Sequence, residues 1–300
     1  MVFFNEHLGE LSALLVAVFW TISALAFESA SKRLGSLSVN LLRLVAGLIF
    51  LSLLTLVTRK MAFPADADMQ NWMWLGLSGL VGFVFGDLFL FKSFTVIGSR
   101  FSMLIMTLVP PMTAFFGWLI LDEQLSFLNF AGISLTLAGI AMAIFARRNG
   151  SERLSLKLAP RGVLYALGGA LGQALGLVLS KLGLKEYDPF AATQIRVIAG
   201  IAGFAFLVTV LGRWGGIRSA FSDLRGMKSL TLGAFFGPFL GVSFSLISVK
   251  FAKTGIASTI MALTPVFIIL PAYLIYKQKV TLPELVGSLL SVCGVALFFI

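Results

Sequence analysis

The sequence is a succession of apolar runs, each close to twenty residues long, separated by short polar connections. A helix of roughly 20 residues rises about 1.5 Å per residue and so crosses the roughly 30 Å hydrocarbon core of a bilayer. Read against turn and charge signals, the runs fall at about 8–28, 38–57, 71–92, 100–121 and 126–146, then about 160–182, 190–211, 228–250, 255–276 and 281–300. They are continuous rather than alternating, which favours helices over barrel strands. The composition agrees: 58% of the 300 residues are hydrophobic and 12% are charged, where soluble domains carry about 25% charge. Residues 1–10 contain Glu6 and Glu10 and no Lys or Arg, so the first run is expected to stay as a helix rather than act as a cleaved leader. The longest connections, 147–159 and 212–227, are too short to be domains.

The chain also repeats itself. Shifted by 155, residues 105–141 lie on 260–296 without a gap, and ten of those 37 positions are identical, among them Pro110/Pro265, Gly132/Gly287 and Gly139/Gly294. Gly82 and Gly86 fall on Gly237 and Gly241 at the same shift. Earlier in each half a shift of 153 matches Gly9 with Gly162, Arg43 with Arg196 and Gly47 with Gly200. Each half, 1–149 and 150–300, then holds five spans. Because five is odd, the second half must enter the membrane upside down relative to the first. The predicted architecture is thus an all-α integral membrane protein of ten transmembrane helices in two inverted five-helix repeats, the arrangement of secondary transporters. A central cavity is expected between the halves, lined by spans 1, 3, 4, 6, 8 and 9.

One cysteine (Cys293) and one histidine (His7) exclude a disulfide framework, a zinc cage and a Cys/His catalytic pair. No metal or cofactor is expected. The net charge of +10 comes from basic residues placed between apolar runs, so anionic headgroups rather than nucleic acid supply the counter-charge. The in-span charges are costly, about 2.5–3.5 kcal/mol each on an insertion scale. Arg43 lies early in the second span and Asp87 near the end of the third, on the side where Glu28 closes the first. Arg43 is therefore expected to pair with Asp87 or with Glu28, either as a fold-stabilising ion pair or as a gate or proton site. In the second half Lys181, Arg196 and Lys250 have no matched in-span acid, since Val242 stands where Asp87 does. Either the lysines snorkel to the headgroups, or Glu186 and Asp188 in the adjacent loop partly neutralise them.

Pro110-Pro111, Pro265 and Pro271 lie inside apolar runs, where a missing N–H frees a carbonyl. Such breaks are tolerated in a membrane only where neighbours or a water-filled cavity satisfy the freed groups, so the matched pair reads as a hinge, a cavity wall or both. The stripes Gly168-x-x-x-Gly172-x-x-x-Gly176 and Gly233-x-x-x-Gly237-x-x-x-Gly241 read as helix packing. The glycines at i, i+7 in the fifth and tenth spans read the same way and are compatible with a dimer contact, leaving monomer and homodimer open. Of the deep polar residues, which include Thr21, Ser23, Thr107, Ser243, Ser245 and Thr264, Gln173 stands apart because its amide cannot satisfy itself on its own helix. It falls opposite Trp20 at the 153 shift, a pair suited to a pocket for an amphipathic metabolite.

Together, Phe19-Trp20, Arg43 and Arg196, Pro110 and Pro265, and Gly132/Gly139 with Gly287/Gly294 resemble the EamA family of the drug/metabolite transporter superfamily over essentially the whole chain. The resemblance implies a ten-helix carrier of small metabolites, often an amino-acid exporter, in the plasma (inner) membrane, and not an enzyme. The sequence departs from the family pattern at Glu28, where a cation is more usual and the other half has Lys181. Expected substrate contacts are Trp20, Asp87, Met103, Met106, Thr107, Gln173, Gln194, Arg196, Met261 and Thr264, with Glu28, Arg43, Pro110 and Pro265 as gating or ion-pair positions. A zwitterion would turn its carboxylate to Arg196, with Gln194 near it, and its amine to Glu28 and Asp87. Alternatives are an efflux carrier for cationic drugs, a carrier of sugar-linked metabolites, or a non-transporting membrane scaffold of the same fold. An intramembrane aspartyl protease is excluded because Gly86-Asp87 and Tyr187-Asp188 lie toward opposite faces, and two such carboxylates must be close to share a proton. A rhomboid-type protease is excluded because His7 precedes the first span, and no repeated selectivity sequence suggests a channel. Orientation is contested: of the 21 Lys and Arg outside Arg43 and Arg196, fifteen lie on the side of the odd-to-even connections. The positive-inside rule then places the termini outside, whereas the family keeps them inside.

Overall fold

The computed structural model describes residues 6–146, 160–267 and 282–299, and every regular element among them is helical. The first half contains α1 (Leu8–Leu34), α2 (Ser36–Arg59) and α3 (Met69–Gly79). The last widens into a π-helical stretch (Leu80–Gly86) and continues as α4 (Asp87–Met106), followed by α5 (Val109–Leu121) and α6 (Phe127–Ala146). The second half contains α7 (Pro160–Leu184), α8 (Pro189–Val210), a short α9 (Trp214–Ala220) and α10 (Leu224–Ala234). A second π stretch (Phe235–Gly241) leads into α11 (Val242–Phe251), then α12 (Thr254–Met261), α13 (Thr264–Phe267) and α14 (Leu282–Ala296), with a 3-10 turn (Leu297–Phe299) after it. Among the described residues six stretches are long and apolar enough to cross a membrane: Leu8–Leu34, Ser36–Arg59, Met69–Leu90, Pro160–Leu184, Pro189–Val210 and Leu224–Phe251.

Local signals set several boundaries. Gly35 alone joins α1 to α2, at φ +80°, a conformation that costs a residue without Cβ little. Asp68 and Asn71 form a capping box at the start of α3. Asp188 accepts from the Ala191 N–H, and Pro189 opens α8, where a missing N–H costs nothing.

Three boundaries differ from the expected ones. The sequence predicts a connection near residues 93–99, but the helix there runs unbroken from Asp87 to Met106 and yields at Thr107-Leu108. Proline decides this: Pro110 cannot donate to the Met106 carbonyl, so the ladder fails one turn ahead of it. The ninth span, expected over 255–276, breaks likewise at Ala262-Leu263, ahead of Pro265; its remainder, with Pro271, lies outside the described residues. The prolines therefore sit in the first turn of a new segment rather than kinking a continuous helix. The connection expected over 212–227 holds α9 and the start of α10.

The repeat reappears as reciprocal packing. The two π stretches, Leu80–Gly86 and Phe235–Gly241, are 155 residues apart, and so are the two helix breaks. Gly47 abuts Pro238 while its counterpart Gly200 abuts Phe83, and Gly9 abuts Ala252 while Gly162 abuts Ile97. Along the α6–α14 seam Gly132 meets Gly294 and Gly139 meets Gly287. Thr136 Oγ1 donates to the Ser291 carbonyl at 3.4 Å, and Ser291 Oγ donates back to the Thr136 carbonyl at 3.3 Å. A rotation that exchanges the halves turns each of these contacts into its partner. The four seam glycines, which the sequence left open to a dimer contact, are thus taken up within the chain.

Small residues and amide donors dock α3 and its π stretch on α7. Asn71 Nδ2 donates to the Gly183 carbonyl (2.7 Å) and Ser78 Oγ to that of Gly176 (2.5 Å), while Gly172 and Gly176 lie against Gly86 and Gly82. Lipid offers no hydrophobic drive between helices, so close approach and such bonds supply the cohesion. A Cβ on Gly139 would come within 2.5 Å of the Gly287 carbonyl, and one on Gly287 within 2.6 Å of the Ala143 amide. Gly139→Ala and Gly287→Ala are each expected to destabilise by about 1–3 kcal/mol through overpacking. Gly76→Ala, where nothing lies within 4 Å, should stabilise slightly through helix propensity. Thermal midpoints of the purified variants in detergent check this; equal midpoints for all three would show that the seam yields freely.

Candidate functional site

The first π stretch places Asp87 immediately after it, at the head of α4. Asp87 is buried, and its Oδ2 accepts from Arg43 Nη2 on α2. Its Oδ1 accepts from Gln173 Nε2 on α7 at 2.9 Å. Gln173 also reaches the Gly82 carbonyl inside the π stretch at 3.3 Å, and its backbone lies against Gly86. The Arg43 guanidinium stands over the Phe27 ring, 5.5 Å from its centroid. Of the two partners the sequence allows Arg43, the structure provides Asp87; the Glu28 side chain lies outside the described parts. Because the third span continues into α4, Asp87 is deeper in its helix than the sequence suggests.

Arg196 occupies the matching position on α8 in a different setting. It is 5% exposed, and its Nε and Nη1 are buried without a hydrogen-bond partner. Its guanidinium lies 5.2 Å from the centroid of Phe83, in the first π stretch. Gln194 does not join it: two residues apart on a helix, the side chains diverge, and Gln194 Nε2 donates to Ser52 Oγ (3.1 Å) and the Ala62 carbonyl (2.9 Å).

Around the second helix break the apolar candidates converge. Trp20 on α1 lies against Gly241, the last residue of the second π stretch, and packs in one apolar cluster with buried Met261 and Leu263. Pro265 leaves the Met261 carbonyl without its helical donor, and Thr264 Oγ1 donates to that carbonyl at 2.9 Å. Thr21 Oγ1 in turn reaches the Thr264 carbonyl at 3.3 Å. In the first half Pro110 is buried, and Met106 and Thr107 are half-buried at the equivalent break. The side chains of Met103 and Pro265 lie outside the described parts. Trp20 and Gln173 thus hold equivalent posts, each against the glycine that ends a π stretch of the other half.

Sequence reasoning missed Glu123, which follows α5. Its Oε1 accepts from Lys181 Nζ (2.6 Å), and its Oε2 accepts from both the amide and the hydroxyl of Thr254 (2.7 Å each), at the start of α12. Lys181 also donates to the Ala252 carbonyl at 2.8 Å. Lys181 is therefore paired rather than snorkelling. Lys250 meets Glu186 at 3.3 Å, whereas Asp188 serves as a helix cap. Gly117 makes room for this cluster: a Cβ there would lie 2.4 Å from Thr254 Oγ1. A signal existed in the sequence, since a carboxylate suits a helix N-terminus, but no spacing rule links residue 123 to residue 254.

Beyond the helices, Asp66 accepts from the Tyr187 hydroxyl at 2.9 Å and pairs with Arg59 at 2.5 Å. Burial acts to raise the Asp66 carboxyl, but the Tyr187 hydrogen bond and the Arg59 charge outweigh it and hold the group below the usual carboxylate range. Burial also pushes the Tyr187 phenol up to about 12. The clasp's Asp66 contribution is thus complete above the ordinary carboxylate value and fades only as pH falls through the lowered one.

Removing one member of a buried pair strands the other charge, at about 3–5 kcal/mol, whereas removing both is often tolerated. Asp87→Asn and Arg43→Gln should therefore each lower the thermal midpoint, and the double substitution should lower it by less than the sum of the two single losses. Additive losses in a double-mutant cycle would reject the coupling. Glu123→Ala, which removes a helix cap and a charge-assisted bond, is expected to cost about 1–3 kcal/mol in the same assay. A midpoint equal to the parent's would show the cluster to be energetically idle.

Comparison with known proteins now supplies the family. A search of curated proteins returns no match. A solved crystal structure, described only as that of a protein, aligns with a TM-score of 0.75 at 18% identity, covering 97% of this chain and 96% of its own; at that identity the likeness concerns the fold. The family model described as EamA-like transporter family matches twice, over residues 7–145 and 160–300. The chain belongs to the EamA-like transporter family, a family of multi-pass membrane transporters rather than enzymes.

Proposed function

We propose that this protein is a secondary transporter, working as an exporter, that moves small metabolites such as amino acids across the plasma (inner) membrane by alternating access. In this reading it spans the membrane ten times, with residues 1–149 and 150–300 as inverted five-helix halves around a central site. The observation that carries the reading is the pair of matched helix interruptions. Breaks at 107–108 and 262–263, with π stretches at Leu80–Gly86 and Phe235–Gly241, put irregular helix at corresponding positions of both halves. Discontinuous helices at corresponding places in two repeats are where transporters of this kind bind cargo.

Chemically, we assign Arg196 to a carboxylate, and Trp20, Met106 and Met261 to an apolar side chain. Met and aromatic surfaces adapt to many shapes. Thr107, Thr264 and Gln173 add hydrogen-bonding groups. Asp87 is already met by Arg43 and Gln173, which counts against the cationic-drug alternative because that carboxylate is not free for a cation.

Uptake by proteoliposomes from a mixture of amino acids, quaternary cations and sugar phosphates, with and without a pH gradient, tests the proposal. Saturable amino-acid uptake is expected. Uptake of quaternary cations alone would overturn the substrate assignment, and no uptake of any class would favour the scaffold reading.

A further inference from the structure

Arg43 and Arg196 are equivalent under the repeat, and so are Asp87 and Val242, each the first residue after a π stretch. In the first half the arginine and the acid meet. In the second half the arginine is kept and the acid is replaced by a buried valine. Arg196 has two buried guanidinium nitrogens, Nε and Nη1, that bond nothing, where Arg43 has only its Nε. Its backbone is held in place, because Gly79 packs so closely that a Cβ there would lie 2.3 Å from the Arg196 carbonyl. Beside Nη2 the chain carries Gly82, and a Cβ built there would sit 3.6 Å from that nitrogen, so a methyl-sized space adjoins the guanidinium. An uncompensated guanidinium within a membrane protein is costly, and its planar fork matches a carboxylate in bidentate fashion.

We propose that Arg196 anchors the carboxylate of the transported molecule, which takes the place beside Val242 that Asp87 takes beside Arg43. We further propose that an amine on the cargo is dispensable. The cargo would complete in the second half the ion pair that the chain itself completes in the first. With Asp87 already bonded to Arg43, the recognition charge of the site is positive, so the substrate class widens from amino acids to apolar monocarboxylates, including 2-oxo acids. This deepens the transporter reading and rests on it.

The test is calorimetric binding to the purified full chain in detergent, using an apolar amino acid, the 2-oxo acid of the same side chain, and chloride as probes. Both organic acids are expected to bind and to compete with each other. Arg196→Gln should weaken both roughly ten- to hundred-fold, the loss of one charge-assisted hydrogen bond or more. Val242→Asp should install the internal pair, abolish binding of both and raise the thermal midpoint. Binding of the amino acid but not the 2-oxo acid overturns the proposal, as does binding of chloride alone. Unchanged affinity in folded Val242→Asp does the same. Where Val242→Asp does not fold, the competition on the parent protein and the Arg196→Gln titration still decide. Carboxylate binding without liposome uptake of any probe would uphold this site and remove the transporter reading. Parent-like amino-acid uptake by Val242→Asp would do the opposite.

Discussion

Helices of this chain meet backbone to backbone, through glycine, and the interior depends on that closeness. Gly172 and Gly176 on α7 lie against Gly86 and Gly82, and Gly132 and Gly139 on α6 lie against Gly294 and Gly287 on α14. In lipid, apolar side chains gain nothing by moving from acyl tails to a neighbouring helix, so cohesion comes from dispersion at short range and from polar groups that find partners across the gap. Only at glycine spacing can Ser78 and Asn71 reach the carbonyls of Gly176 and Gly183. The same proximity lets the Gln173 amide serve the Gly82 carbonyl within a wide turn whose own hydrogen bonding is irregular. A π stretch in a membrane needs such a neighbour, because water is not there to help.

The polar interior divides unevenly between the two halves. Arg43, Asp87 and Gln173 close on one another; Arg196, Val242 and Trp20 stand at the corresponding posts and do not. The Glu123–Lys181–Thr254 cluster adds a second asymmetry. It joins α5 of the first half to α7 and α12 of the second, at one end of the molecule, while its repeat counterparts are Gln278, Glu28 and Ser99.

Much of this was legible in the sequence. Apolar runs long enough to cross a membrane, the 155-residue self-match, and the odd number of spans expected in each half dictated helices, a repeat and the expectation of inversion, because these follow from local periodicity and counting. The pairing options for Arg43 were legible too, since in-span charges are few and depth limits their choice of partner. The prolines announced that a helix would fail near them, and it does so at residues 107–108, while the connection that the apolar runs suggested near 93–99 is helical.

Tertiary structure alone decided the rest. Nothing along the chain says that Glu123 caps a helix beginning at Thr254, that Gln194 spends its amide on Ser52 and Ala62 rather than beside Arg196, or that glycines open to a dimer contact are used within one chain. Each of these depends on which faces of distant helices come together. In a membrane that choice is made by backbone fit and polar satisfaction, which a linear pattern of apolar residues does not encode, whereas the existence of the helices is set by the solvent and needs only the pattern.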